Sequence, residues 1–151
     1  MYISTEDVRR LGKDLAMTVQ NPDNREQHLV ILAVNYQLYC LNAVRQAIFP
    51  QYYDYGNTSF YWAHIYHCLH LLLDALKCAS QTDLVTYYWM EGALVAQPDF
   101  AVNTMCRDWQ GLKEWQNEYE LDNAAVKKWR KPEEREVSCP PEWKELAANV
   151  G

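Results

Sequence analysis

The 151-residue sequence has no long apolar run and no excess of basic residues. No stretch approaches the ~18 to 20 apolar residues that a membrane-spanning helix needs, and the N-terminus lacks the basic start and apolar core of a signal peptide. Acidic residues outnumber basic ones by 20 to 14, giving a net charge of −6, which predicts repulsion from nucleic acid and from anionic membranes. The sequence as given predicts a soluble protein with no nucleic-acid partner.

Familiar catalytic fingerprints are also missing. There is no GxSxG, no Gly-rich phosphate loop and no nucleotide-binding signature, so neither a hydrolase nor a cofactor-dependent dehydrogenase is indicated. The five cysteines match no zinc ribbon and no CxxC redox motif. Together with a glycosylation acceptor pattern at Asn57-Thr58-Ser59, they favour an oxidising compartment.

The sequence is rich in hydrophobic residues, at 49%, and its length fits a single domain with a sizeable core. Helical spacing of apolar residues predicts a mainly α fold with a short extended or β segment over Leu84–Met90. A capping box at Ser4–Asp7 predicts a first, short helix. Further helices are predicted over Arg25–Phe49, Phe60–Ala79 and Thr104–Leu121, with a shorter helical piece over Asn123–Arg130. We expect a helical domain over 1–131 and an irregular tail over 132–151.

The helix predicted over Phe60–Ala79 carries the residues that look most like chemistry. His64, His67 and Cys68 lie on one side of it, because residues three and four apart are neighbours on a helix. Two imidazoles at this spacing, with Cβ atoms about 5 to 6 Å apart, can share one metal ion or one substrate. The apolar Leu71–Leu73 on the same helix predicts deep burial.

An earlier helix repeats this frame with different side chains. When the two stretches are aligned at Cys40 and Cys68, Tyr36 and Tyr39 fall where His64 and His67 fall. The chain therefore holds two versions of one helical pattern, which we expect to pack together.

The repeated frame and the segments after it resemble the UstYa family of fungal tailoring proteins. The resemblance covers roughly Ser4–Leu121 and rests on five short motifs: YQLYCLNAVRQ at 36–46, HIYHC at 64–68, Cys78, Pro98-Asp99-Phe100 and Cys106-Arg107-Asp108-Trp109. It implies work in fungal secondary metabolism on peptide- or polyketide-derived scaffolds, by ring closure, hydroxylation, desaturation or halogenation. It further implies copper on four motif histidines, an N-terminal membrane anchor in the natural form, a location in the secretory-pathway lumen, and pairing of some members.

Tyr36 and Tyr39 depart from the family's first HxxHC motif, since both histidines are replaced. A neutral phenol, with a pKa of about 10, is a poor copper ligand beside imidazole. The predicted function is therefore a non-oxidative cyclase, with His64 and His67 as bases or hydrogen-bonding groups and the two tyrosines as acids or orienting groups. Two alternatives are a copper-dependent oxidative cyclase or halogenase, and a catalytically silent subunit paired with an intact relative.

The copper alternative places the metal on His64 and His67, with a third ligand from His28, His70, Tyr36 or a substrate. No other cofactor is predicted. The partner is a small-molecule or peptide intermediate, and a homodimer or a heterodimer with another UstYa-like protein is left open. The residues expected to bind substrate are Asn42, Arg45, Trp62, His70 and Arg107.

Four of the cysteines allow two different disulfides. Cys78 and Cys106 are the preferred pair because each is near the end of a predicted helix, and closing their loop would stabilise the fold by about 3.5 kcal/mol. Cys40 and Cys68 could form a disulfide between the motif helices, a buried thiol pair, or simply small apolar contacts. Cys139 is then left over as a free thiol.

Overall fold

A computed structural model describes residues 1–53, 56, 58–127 and 129. The elements in chain order are β1 (Tyr2–Ser4), α1 (Thr5–Arg10), a 3₁₀ turn (Leu15–Met17), β2 (Gln27–Leu29), α2 (Ala33–Ile48), α3 (Ser59–Ala79), β3 (Thr86–Tyr88), β4 (Gln97–Asp99), α4 (Trp109–Glu118) and α5 (Asn123–Val126). Helices dominate, and the strands form two small antiparallel pairs. The predicted mainly α fold is confirmed, while the tail predicted over 132–151 lies outside the described residues.

The N-terminal part folds around a buried histidine. Strands β1 and β2 pair so that Ile3 lies opposite His28, whose side chain is fully buried. The Thr18 hydroxyl donates to the Leu15 carbonyl, at 3.0 Å, so it accepts from Nδ1 of His28, at 2.7 Å. Nε2 of the same ring lies 3.2 Å from the Thr5 hydroxyl. One imidazole thus joins α1, the 3₁₀ turn and β2.

The central feature is an antiparallel hairpin of α2 and α3. Helix α2 ends at Ile48, just before Pro50, which cannot donate a backbone hydrogen bond. The Thr58 hydroxyl accepts from the backbone N–H of Tyr61 and begins α3, and Ser80 ends it in a left-handed conformation with φ of 38°. Cys40, Ile65 and Cys68 are the buried residues of this pair of helices.

The described part of the chain after α3 contains a strand pair and two helices. Strands β3 and β4 pair antiparallel, with Tyr87 opposite Pro98, and the Asp108 carboxylate caps α4 by accepting from the backbone N–H of Gly111. None of the described helices is both long and apolar enough to cross a membrane.

Several predicted boundaries are wrong. Helix α2 begins at Ala33 rather than near Arg25, because residues 27–29 pair with β1 instead of continuing a helix. Helix α4 begins at Trp109 rather than Thr104, since Asp108 is its cap. The expected deep burial of Leu71–Leu73 is wrong too: only α2 packs against α3 among the described elements, and Leu73 is 45% exposed.

Candidate active site

The two motif helices bring their tyrosines and histidines face to face. The ring centroids of Tyr39 and His64 are 5.6 Å apart, and those of Tyr36 and His67 are 6.3 Å apart. Tyr36 and Tyr39 also contact each other, at 5.7 Å. Because the helices run antiparallel, the first position of each motif faces the second position of the other. The predicted packing of the motif helices is confirmed. The two phenols and two imidazoles form one surface, the motif face, which consists of Tyr36, Tyr39, His64 and His67.

A disulfide between Cys40 and Cys68 joins the two motifs beneath this face. Both residues are fully buried, and their Cα atoms lie 4.8 Å apart. Because each cysteine occupies the last position of its motif, the bridge lies at equivalent points of the two helices. It fixes the separation of the rings above it.

The preferred pairing of Cys78 with Cys106 is wrong, because both thiols are free and exposed. Cys78 projects from the exposed last turn of α3, and Cys106 lies in the irregular segment before α4, an element that does not pack on α3. Proximity to helix ends did not bring the two together, whereas the packing of α2 on α3 brought Cys40 to Cys68. Cys139 lies outside the described residues.

The motif face is most accessible to solvent at Tyr39. Tyr36, His64 and His67 are half-buried, and Tyr39 is 52% exposed. Nε2 of His64 lies 3.8 Å from Sγ of Cys68, at the inner edge of the face. Imidazole can accept or donate a proton near neutral pH, and a phenol can donate a hydrogen bond to a carbonyl or an enolate. The arrangement can therefore support acid-base chemistry on a ligand laid over it.

The donor set does not fit a complete copper site. Among the described residues, no group of three or more His, Cys, Asp or Glu side chains is placed to hold a metal ion. His28 is buried between Thr5 and Thr18, so it cannot be the third ligand considered above. His70 packs on Tyr66, at 4.3 Å between ring centroids, on the exposed side of α3. Two imidazoles and two neutral phenols remain at the face.

Arg45 and Asn42 lie further along α2 at the spacing of the motif tyrosines, three residues apart. Nε and Nη2 of Arg45 donate to the Asn42 side-chain oxygen at 3.1 and 2.9 Å. Both terminal nitrogens of Arg45 also lie 3.3 Å from the Tyr53 hydroxyl. The guanidinium is thus held in one orientation, with donor capacity left for a ligand oxygen.

Trp62 and Arg107, like His70, are predicted substrate-binding residues that are not brought to the motif face. The Trp62 ring is 50% exposed and packs edge-on against Tyr61 at 5.3 Å. Arg107 is exposed before α4 and makes no hydrogen bond or ion pair within the part of the chain that the structure describes. Asp108 caps α4 instead of pairing with it.

An apolar cavity of about 510 Å³ adjoins the first motif. Leu32, which lines it, lies four residues before Tyr36 and thus one helical turn below it. The opposite wall includes Gln116 of α4 and Tyr119, the residue that caps its C-terminus. Sequence patterns did not reveal this cavity, because it depends on how α4 lies against the chain before α2. They also missed Tyr53, whose only signal was its place in a tyrosine-rich loop.

One known protein family matches most of this sequence. The sequence model of the family described as "Mycotoxin biosynthesis protein UstYa" matches residues 1–119. The chain belongs to the UstYa family. Its motif face is thus the UstYa HxxHC pair with tyrosines at both histidine positions of the first motif.

Curated relatives in the UstYa family are named as oxidases. The chain is 33% identical over 165 aligned positions to the UstYa family oxidase aprY of Aspergillus flavus. The alignment covers 99% of this chain and 49% of that protein. It is 29% identical to the UstYa family oxidase phomYc′ of Diaporthe leptostromiformis, over 72% of this chain and 48% of the relative. It is 30% identical to the UstYa family oxidase VicYb of Bipolaris victoriae, over 58% of this chain and 78% of the relative.

The chain spans about half the length of the first two of these relatives. No solved structure matches it.

Proposed function

We propose that this UstYa family member is an enzyme of fungal secondary metabolism that closes a ring in a peptide- or polyketide-derived intermediate without an oxidant. The observation that supports this is the pairing of Tyr39 with His64 and of Tyr36 with His67 across the α2–α3 hairpin. Family membership supports the setting in secondary metabolism. The replacement of two imidazoles by phenols supports acid-base chemistry over metal chemistry.

The proposed step balances without a redox partner. A neutral imidazole of His64 or His67 takes the proton from a carbon acid or hydroxyl of the substrate, and the freed electron pair forms the new ring bond to an electrophilic carbon. Charge that builds on the carbonyl oxygen is stabilised by a hydrogen bond from a tyrosine hydroxyl, and the imidazolium then returns the proton. Conjugate addition and aldol-type closure both fit this sequence.

Substrate binding is proposed to use two sites next to the motif residues in the chain, Arg45 on α2 and the cavity lined by Leu32. Arg45, oriented by Asn42 and Tyr53, would hold a carboxylate or carbonyl oxygen through paired hydrogen bonds. The apolar cavity beyond Tyr36 would take an apolar group. The reacting carbon would then lie over the rings of the motif face.

The experiment pairs motif variants with controls on the same helix. The substrate is the intermediate that accumulates when the gene is deleted, and ring closure is followed by mass spectrometry and NMR. We expect His64→Ala and Tyr39→Phe to lower kcat by about 10² to 10⁴-fold, the usual contribution of general acid-base groups. His70→Ala and Tyr66→Phe change a ring pair on the exposed side of α3 and should leave kcat within about twofold. Equal effects in both sets would overturn the proposal.

An oxidative reaction with copper on His64 and His67 is the second candidate, because the relatives are named oxidases. Purified, untagged protein would be loaded with copper, desalted and analysed for metal. About one copper per chain, lost in His64→Ala and kept in His70→Ala, would favour this candidate over the first.

The halved motif also supports a third candidate, a non-catalytic subunit of an intact family member. Turnover by the purified chain alone would exclude this role. For location we propose the secretory-pathway lumen, since disulfides such as Cys40–Cys68 persist in oxidising compartments.

A further inference from the structure

We infer that the Cys40–Cys68 disulfide is a positioning element that holds the ring proton of His64 on Nε2 and leaves Nδ1 as the atom that accepts a proton. The inference begins from a contact at the base of the motif face. Nε2 of His64 lies 3.8 Å from Sγ of Cys68, one helical turn along α3. Cys40 and Cys68 are both fully buried, so the disulfide has a fixed place below the ring.

The chemistry of the sulfur decides the direction of this contact. A disulfide sulfur carries no hydrogen and can only accept a hydrogen bond. The contact is therefore a hydrogen bond only when Nε2 bears the proton. In neutral imidazole the other nitrogen is then the acceptor, so the lone pair of His64 is on Nδ1, directed away from the disulfide.

This assignment deepens the proposed function and rests on it for its catalytic meaning. It names the atom of His64 that would take the substrate proton, on the side of the ring away from the disulfide. A thiol in place of the disulfide could donate to Nε2 and favour the opposite tautomer. In this way the bridge would set both the spacing of the rings and the protonation pattern of one of them.

The test is ¹⁵N NMR of histidine-labelled protein without substrate, at a pH well above the ordinary imidazole range. His64 is assigned by its loss in His64→Gln. Because a free imidazole already favours the proton on Nε2, the exposed His70 serves as the internal reference. We expect the ratio of Nε2-protonated to Nδ1-protonated ring at His64 to exceed that at His70 by about fivefold, the factor that one modest hydrogen bond gives. A protonated Nδ1 at His64, or a ratio equal to that of His70, would overturn the assignment.

Reduction supplies the matched comparison. After treatment with a phosphine reductant, the preference at His64 should disappear or reverse, while His70, which packs on Tyr66, should be unchanged. A folded, fully reduced protein with an unaltered His64 spectrum would show that the disulfide has no such role. If reduction unfolds the chain, the comparison of His64 with His70 in the oxidised protein decides. Because no substrate is present, failure here is distinct from failure of the ring-closure assay.

Discussion

Tyr36 and Tyr39 occupy positions where the UstYa motif has imidazoles, and this exchange alters what single atoms of the face can do. An imidazole offers a nitrogen lone pair that can accept a proton, whereas a phenol offers a hydroxyl that can donate a hydrogen bond. Each tyrosine contacts one histidine of the other motif. The face therefore holds an acid beside each base.

Restoring the motif should restore metal binding. In Tyr36→His combined with Tyr39→His, four imidazoles would meet across the α2–α3 hairpin, a donor set that suits copper. We expect the double variant to retain about one copper per chain after desalting, by elemental analysis, while the parent protein retains far less. The same double change to Phe is the control. Equal copper in parent and restored protein would contradict the account.

The buried His28 should matter for stability rather than for turnover. Its ring is fully buried and bonded on both sides by threonine hydroxyls, so His28→Ala leaves a cavity and removes both of these hydrogen bonds. We expect a loss of about 3 kcal/mol in the free energy of unfolding, measured by urea denaturation. The exposed His70→Ala should change it by less than about 0.5 kcal/mol. Similar losses in both would refute this role.

Among the elements, α3 shows how far the sequence alone could lead. Its bounds were predicted within one residue because Thr58 caps it and apolar residues recur along it. The start of α2 was placed too early, since the apolar spacing over 25–32 continues through a strand that only the pairing with β1 defines. Pairings between distant segments leave no periodic signal, which is also why the wrong disulfide was preferred.

The disulfide between α2 and α3 should stabilise the hairpin. It closes a loop of 28 residues, worth about 3.5 kcal/mol by the chain-entropy estimate. We expect Cys40→Ser combined with Cys68→Ser to lose roughly this much in urea unfolding, and Cys78→Ser combined with Cys106→Ser to lose almost nothing. A larger loss of stability in the Cys78 and Cys106 double variant than in the Cys40 and Cys68 double variant would contradict the Cys40–Cys68 disulfide.

The capping box of α1 should make stability depend on pH. Hydrogen bonds from the Ser4 side chain and backbone lower the pKa of Asp7, so folding favours its charged form. The stabilisation is present above the ordinary carboxyl pKa and is lost as the pH falls through the lowered value. In Asp7→Asn, the decline of thermal stability on acidification should be shallower than in the parent. A curve parallel to the parent's would argue against this role.

At the scale of the whole molecule, the four rings of the motif face all come from α2 and α3, whereas several large apolar side chains outside it are exposed. Tyr66 is 65% exposed and Leu76 is 71% exposed on α3, and Trp89 after β3 is 79% exposed. The chain spans about half of two relatives that it matches. We expect the isolated chain to hold the motif rings in place. Whether it also needs a second subunit for activity is decided by testing whether this chain alone turns over substrate.

The most direct measurement of the central claim is ring closure by the purified chain under nitrogen with excess EDTA. Acid-base closure predicts that product forms at the aerobic rate, because no electron leaves the substrate and no metal takes part. Activity that disappears under these conditions and returns only with copper and dioxygen would contradict the account and establish oxidative chemistry at His64 and His67.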